Sequence, residues 1–262
     1  MLPTPSTSHV SFDNVYEPSE DSFLLLDTLS SASEVEFLKT RFPKNEAVPV
    51  IAEVGVGSGV VLAFANAHAT EIFGKPHVLT LAIDINRHAC EATRQTVEKA
   101  STDLAGSQVS VGTFLGSIQA DLGSAMRSGV VDVLIFNPPY VPSEESLADL
   151  RDVALSEPQF KASSSAKFER DSKLLALSYA GGADGMETTN ILLSDLPRIL
   201  NERRGVAYIL LCAQNKPAAV MEYIKSWHAN WNVEVVGHSG KTAGWEVLQV
   251  LRVWPDNLPH SK

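Results

Sequence analysis

The chain has 262 residues, 44% of them hydrophobic, and a formal net charge of −10. That length suits one large domain, or one domain with an insertion, and no uninterrupted apolar run approaches the ~20 residues that cross a bilayer. Nucleic-acid affinity is built on neutralising phosphates. A chain with 21 basic and 31 acidic residues, and no basic cluster longer than Arg203-Arg204, is a poor polyanion binder, so a protein substrate or partner is expected. The start of the chain lacks the basic-then-apolar layout of a secretion signal, which points to a cytoplasmic location with the nucleus also open. Cys90 and Cys212 sit in apolar patterns and read as inert core thiols. Without a CxxC pair or histidines at ligand spacing, no metal site is expected.

In chain order, residues 1–15 are rich in Ser, Thr and Pro and read as a flexible lead-in, with 16–262 as a single domain. Phe23, Leu24, Leu26 and Leu29 suggest a helix with Ser19 as N-cap and Glu20 and Asp21 in its first turn. A second helix at about 33–41 ends before Pro43. Strand and helix then alternate: a strand at Val50–Val54, a helix near Val60–Phe73, a strand at Val78–Ile83, a helix at about 87–100, and a weaker strand within 110–120 that ends at Asp121-Leu122. An apolar run over Val130–Phe136 is the fourth strand. The segment 143–178 is polar and Ser-rich, and reads either as a lid or substrate-selecting insertion or as a disordered surface loop. A fifth strand at Val206–Cys212 precedes a helix at about 216–228, and two strands, Asn232–Val236 and Glu246–Val253, close the chain. Alternation of this kind implies a parallel, doubly wound sheet. The last two strands leave no room for a crossover helix and must pair antiparallel.

The fourth strand ends in Asn137-Pro138-Pro139-Tyr140. The Asn offers a side-chain carbonyl, the prolines donate no N–H and stiffen the backbone, and the Tyr supplies a flat face. Together they make a receptor for a planar NH2 group, and the tetrapeptide is the signature of methyltransferases acting on adenine, cytosine or glutamine nitrogens. An ordinary strand-ending turn would also suit an Asn-Pro pair. At the first strand's tip, Glu53-Val54-Gly55-Val56-Gly57-Ser58-Gly59 leads into a helix. Glycines there let backbone approach a ligand, and the helix start offers free N–H groups. The spacing is G-x-G-x-G, with Glu53 two positions before the first Gly. A carboxylate so placed would repel the diphosphate of a dinucleotide and support an ammonium, which favours S-adenosylmethionine over NAD. Asp84, at the second strand's tip, is placed to accept ribose hydroxyls, and Asp121 and Leu122 at the third are placed to read adenine. Strand ends and N-caps favour Asp in any case; it is the conjunction of four such tips that points to one crevice.

The segment from Tyr16 to Asp27 resembles the "YEPAEDTFLLLDAL" opening of the eukaryotic HemK-type glutamine methyltransferase catalytic subunit. Glu53–Val61, Asp84-Ile85-Asn86, Asp121-Leu122, Phe136–Val141 and Gly181–Gly185 match as well, so the resemblance spans nearly the whole chain. The stretch between Ala100 and Gln119 and the long 143–178 segment depart from the family pattern. The resemblance implies a class I S-adenosylmethionine-dependent methyltransferase (Rossmann-like) fold, seven-stranded and mostly parallel with one antiparallel strand. It implies that Ser22, Glu53, Gly55, Gly57, Asp84, Asp121, Leu122 and Asn137 hold the donor. Asn137 and Pro138 would receive an amide, with Pro139 stiffening the loop and Tyr140 packing on the amide plane; Asn137, Pro138 and Tyr140 carry the catalysis. The implied substrate is the GGQ glutamine of the class 1 translation termination factor, and the implied partner is a small zinc-binding activator protein in a heterodimer, with no direct nucleic-acid or membrane binding. The competing expectations are an adenine-N6 DNA or RNA methyltransferase, a protein lysine (histone) methyltransferase, and a donor-binding subunit without catalysis.

Overall fold

Among the described residues, four of the nine α-helices begin at a side chain that accepts a first-turn backbone N–H: Ser31, Asn86, Ser146 and Ser163. The computed structural model describes residues 2–104, 110–144, 146–156, 163–227, 231–240 and 247–256. Helix α1 (Glu20–Leu29) follows Ser19, though the Ser19 side chain makes no capping bond, and the acidic residues Glu20 and Asp21 occupy its first turn. Ser31 caps α2 (Ala32–Arg41) by accepting from Glu34 N. Strand β1 (Val50–Val54) leads through the glycine turn into α3 (Val60–Ala67) and α4 (Ala69–Phe73), then β2 (Leu79–Asp84). Asn86 caps α5 (Arg87–Asp103), which precedes β3 (Thr113–Gln119) and β4 (Val133–Phe136).

Next come α6 (Leu147–Leu155), α7 (Ser164–Ala176) and α8 (Glu187–Ile199), and then β5 (Val206–Cys212), α9 (Pro217–Lys225), β6 (Trp231–His238) and β7 (Leu248–Pro255). The sheet order is β3-β2-β1-β4-β5-β7-β6. Only β7 runs against its neighbours, β5 and β6. This is the expected class I methyltransferase sheet.

Alternation along the central strands feeds two cores. Val133 and Ile135 of β4, with Val206, Tyr208 and Leu210 of β5, face α1–α4 residues such as Leu25, Leu29, Leu38 and Phe64. Leu134 and Phe136, with Ala207, Ile209 and Leu211, face Leu192, Leu196, Ile199 and Ile224 of α8 and α9. The first core encloses a polar knot. Glu34, 1% exposed, accepts 2.7 and 3.0 Å bonds from Arg252 Nη1 and a 2.8 Å bond from the Tyr208 hydroxyl. The Arg252 guanidinium lies 3.8 Å from the Phe37 ring centroid and 4.5 Å from that of Trp254.

Several elements differ from the sequence expectation. The helix expected over Val60–Phe73 breaks at His68 (φ −107, ψ 32), whose Nε2 donates to the Pro3 carbonyl at 2.8 Å. That bond helps lay the lead-in on the domain. His9 hydrogen-bonds Thr96, Asn86 Nδ2 donates to the Asn14 carbonyl, and Val15 is buried. The fourth strand begins at Val133 rather than Val130, because Asp132 turns its side chain to Val50 N and Arg204. Within 143–178 the chain forms α6 and α7. The serine run read as irregular is a helix start, with Ser163 capping α7 through Ala166 N. Helix α8 was not expected at all. Glu246 and His228, the outer ends of an expected strand and helix, lie outside the described residues.

Removing Glu34 would leave the mostly buried Arg252 with only the exposed Glu234 carboxylate, to which its Nη2 donates at 2.6 Å. Glu34→Ala is therefore expected to destabilise the fold by about 3–5 kcal/mol, read as a lowered midpoint in urea. A loss under about 1 kcal/mol would mean that the knot behaves like a surface pair.

Candidate active site

The register of the parallel strands fixes which strand tips meet. Val54 of β1 pairs with Ile83 of β2 on one side and with Phe136 of β4 on the other, and Asp84 pairs with Gln119 of β3. The next residues along these strands therefore emerge at one edge as a row, Gln119, Asp84, Gly55 and Asn137, with Asp121 two residues beyond Gln119. A cavity of about 480 Å³ opens there, and every site residue named from the sequence lines it, from Ser22 to Tyr140.

On the β1–β2 side, Gly55, Gly57 and Gly59 all hold positive φ, which glycine adopts without strain. A Cβ at Gly59 would come within 2.6 Å of Thr93 Cα, so the turn's close fit against α5 needs glycine. Asp84 accepts from Gly57 N at 3.2 Å and from Asn86 N at 2.8 Å. Burial outweighs these bonds and pushes its carboxyl up to about 6. Glu53 lies deeper, 2% exposed, with Oε2 unpartnered among the described residues. Burial holds its carboxyl well above the usual carboxylate range; a Leu62 backbone bond works the other way, and the Asp84 charge adds to the rise. Two buried carboxyls, one with an unused oxygen beside a glycine turn, match a ligand that brings a cation and hydroxyl donors. Burial also pushes the nearby Cys90 thiol up to about 12, which leaves it protonated and poorly nucleophilic.

On the β4 side, the Asn137 amide is oriented. Its Nδ2 donates to Asp21 Oδ2 at 3.0 Å, and its Oδ1 is buried with no partner among the described residues. Asp21 is itself buried, and its other oxygen accepts from Ser22 N at 2.6 Å and Ser22 Oγ at 3.3 Å. Pro138 is buried and Tyr140 packs against the first core. The Tyr140 carbonyl accepts from Asn215 Nδ2 at 3.2 Å, and the same nitrogen reaches the Asp184 and Gly185 carbonyls at 3.3 Å. Gly185 holds φ +68, and a Cβ there would collide with the Tyr140 carbonyl. The Gly181–Gly185 segment is thus a backbone brace for the Asn137–Tyr140 loop.

The wall beyond Asp121 comes from the 143–178 segment. Arg151 of α6 stands 3.9 Å from Asp121 Oδ2 and donates to Thr188 Oγ1 at 3.4 Å, and Leu174 and Leu177 add an apolar rim. Leu122 takes up φ 47, turning the chain away from the β3 tip. Sequence reasoning did not single out Asp21, Arg151, Thr188 or Asn215. Asp21 carried a signal, since it neighbours Ser22 within the opening motif, but in a first helical turn an acid is already accounted for by the helix dipole. The other three are brought in by tertiary packing alone. Among the described residues there is no helix long and apolar enough to cross a membrane, and no group of His, Cys, Asp or Glu side chains placed to hold a metal ion.

No protein-family model matches the chain. Among solved structures, a chain of the E. cuniculi Mtq2–Trm112 complex, which methylates the eRF1 translation termination factor, shares the fold. Its TM-score is 0.54 at 18% identity, over 93% of this chain and 99% of that one. The methyltransferase HEMK2 of Mus musculus is 30% identical over 96% of each chain. A putative protein N5-glutamine methyltransferase of Methanocaldococcus jannaschii is 27% identical over 92% of this chain and 91% of its own length. The eRF1 methyltransferase catalytic subunit mtq2 of Schizosaccharomyces pombe is 33% identical over 97% of this chain and 96% of its own, and this chain belongs to the same family of eRF1 methyltransferase catalytic subunits.

Proposed function

We propose that the chain is an S-adenosylmethionine-dependent N5-glutamine methyltransferase that modifies the GGQ glutamine of the class 1 translation termination factor, as the catalytic subunit of a heterodimer in the cytoplasm. The observation that carries this is Asn137 Oδ1, buried and with no partner among the described residues, on a residue lining the same cavity as the glycine turn, Glu53 and Asp84. The names of the S. pombe and M. jannaschii relatives favour a protein amide over an adenine as the group received there.

When bound, the donor's sulfonium supplies an electrophilic methyl group and leaves as a neutral thioether. The chain's residues bind and aim. Glu53 supports the donor's ammonium from beneath the turn, Asp84 accepts its ribose hydroxyls, and Asp121 with Leu122 borders the adenine. Ser22 and Asn137 close the side towards the transferring group. An amide nitrogen is a weak nucleophile because its lone pair is delocalised into the carbonyl. Asn137 Oδ1 and the Pro138 carbonyl each hold one of its N–H groups and aim the nitrogen at the methyl carbon, while Tyr140 fixes the amide plane. As the N–C bond replaces the S–C bond, the methylated nitrogen gives up one of those two protons to solvent. Positioning and electrostatics supply the acceleration, with no covalent enzyme intermediate.

A surface for the small activator partner is available on the sheet. Among the described residues, strand β3 is an outer strand that pairs with β2 alone, and it exposes Leu115 (54%) and Ile118 (36%) beside a register shift opposite Thr80 and Leu81. An exposed apolar edge strand is a template for pairing with another chain, which supports docking of the partner there. Replacing both side chains with Lys should abolish co-purification of the partner; retention would move the docking site elsewhere.

The function is tested by incubating the chain and its partner with labelled S-adenosylmethionine and the termination factor, intact or lacking the GGQ glutamine. Label on the intact factor alone is expected, and label on both would exclude that glutamine. Asn137→Ala should lower turnover at least about 100-fold while the protein still binds the donor; near-normal turnover would remove Asn137 from the mechanism. The Asp84 carboxyl gives a pH signature. Protonated Asp84 cannot accept two hydroxyl bonds in the same way, so the donor favours the ionised form and binding releases protons near pH 6. Donor affinity should fall as pH drops through about 6, and a titration flat between about pH 5 and 7.5 would contradict this placement.

A further inference from the structure

We propose that Asp21 is a positioning residue that sets the flip state of the Asn137 side chain, and so decides that an acceptor rather than a donor faces the incoming amide. The inference rests on the glutamine-transfer reading above and adds a residue to it. A carboxamide can present either its oxygen or its NH2 to the cavity, and the two states have nearly the same shape. What separates them is the hydrogen-bond partner on the far side. Asp21 Oδ2 lies 3.0 Å from Asn137 Nδ2. Both Asp21 oxygens already accept, Oδ1 from Ser22 N and Oγ and Oδ2 from Asn137. A carboxylate donates nothing, so the reversed Asn137 would set oxygen against oxygen in a buried site. Asp21 is only 3% exposed, so water does not readily relieve that conflict, and unpaired buried acceptors are costly. The consequence appears at the other end of the amide: Oδ1 is turned away from Asp21, buried and with no partner among the described residues, on a residue that lines the cavity, and so stays available to an N–H group.

The link runs from sequence to chemistry through one helix start. The first turn of α1 holds Asp21 rigidly, because Ser22 N fixes its carboxylate. The Asn137 position is fixed separately by β4 and its register with β1. The acid is therefore supplied by a segment 116 residues away in the chain, which a reading of the tetrapeptide alone does not reveal.

The discriminating substitution is Asp21→Asn, which keeps the shape and removes one acceptor. With its oxygen towards Ser22 N, the new carboxamide points NH2 at Asn137 and drives that side chain into the reversed state. Turnover on the termination factor should fall on the order of 100-fold, with the thermal midpoint and donor affinity little changed. The reciprocal double variant, Asp21→Asn with Asn137→Asp, restores a donor–acceptor pair between the two positions and again presents an acceptor to the cavity. It should recover at least about tenfold of the lost turnover, whereas two merely structural lesions would add. A second readout needs no substrate. The Asn137 side-chain NH2 resonance of the 15N-labelled full chain, identified by its absence in Asn137→Asp, should shift in Asp21→Asn. Turnover of Asp21→Asn within about threefold of wild type, or an unmoved Asn137 resonance, would overturn the proposal. If the wild-type protein labels no GGQ glutamine, the glutamine reading fails, and the resonance alone decides the role of Asp21.

Discussion

The parallel register of β2, β1 and β4 is the constraint on which the site depends. Because Val54 faces both Ile83 and Phe136, the glycine turn and the Asn-Pro-Pro-Tyr loop leave the sheet side by side, with Asp84 one strand further out. A parallel pair shifted by one residue would turn the side chains of a strand to the opposite face. The two cores prevent that slip. Tyr208 and Leu210 are committed to one side of the sheet and Ile209 and Leu211 to the other, so β5 cannot move without exposing both sets. The site's geometry is thus bought with ordinary apolar packing well away from the chemistry.

The second constraint is electrostatic. Asp21, Glu53 and Asp84 are all buried around one cavity, in a chain that already carries a net charge of −10. Burial drives the Glu53 and Asp84 carboxyls up in the free protein, so ionising both there is costly. A cationic ligand that donates hydroxyls offsets this cost. A diphosphate would add to it, which extends to Asp84 the argument that Glu53 beside the glycine turn already makes in the sequence.

The tips of β1, β2 and β4 were legible in the sequence because each follows a short apolar run that closes on Gly55, Asp84 or Asn137, whereas β3, with Gly116 and Ser117 in its middle, signals Asp121 only weakly. Elements with mixed signals were not. Helix α8 carries Pro197 in its last turns and follows Gly181–Gly185, and these breakers masked the helical spacing of Leu192, Leu196 and Ile199. The split at His68 depends on a hydrogen bond to Pro3, a tertiary event with no local cue. The 143–178 segment looked irregular because α7 is polar along most of its length and buries only Leu174 and Ala176. Among the site residues, strand position revealed Asn137 and Asp84, while Asp21 and Asn215 act through contacts that only the folded chain creates.

Those contacts separate the acceptor loop from the donor turn in a way the sequence motif conceals. The glycine turn is held by backbone: glycine conformations, the start of α3 and the N–H groups that meet Asp84. The acceptor side is held by side chains from elsewhere, Asp21 beneath Asn137 and Asn215 behind Tyr140. Side-chain orientation is discrete, because a carboxamide faces one way or the other. A lysine ammonium would need to lose a proton before attack. The Glu53 and Asp84 carboxyls stand on the donor side, and Asp21 is already committed to Ser22 and Asn137. An amide needs no prior deprotonation, only two acceptors and a fixed plane. The arrangement around Asn137 therefore suits a neutral, planar NH2 group better than a cationic one.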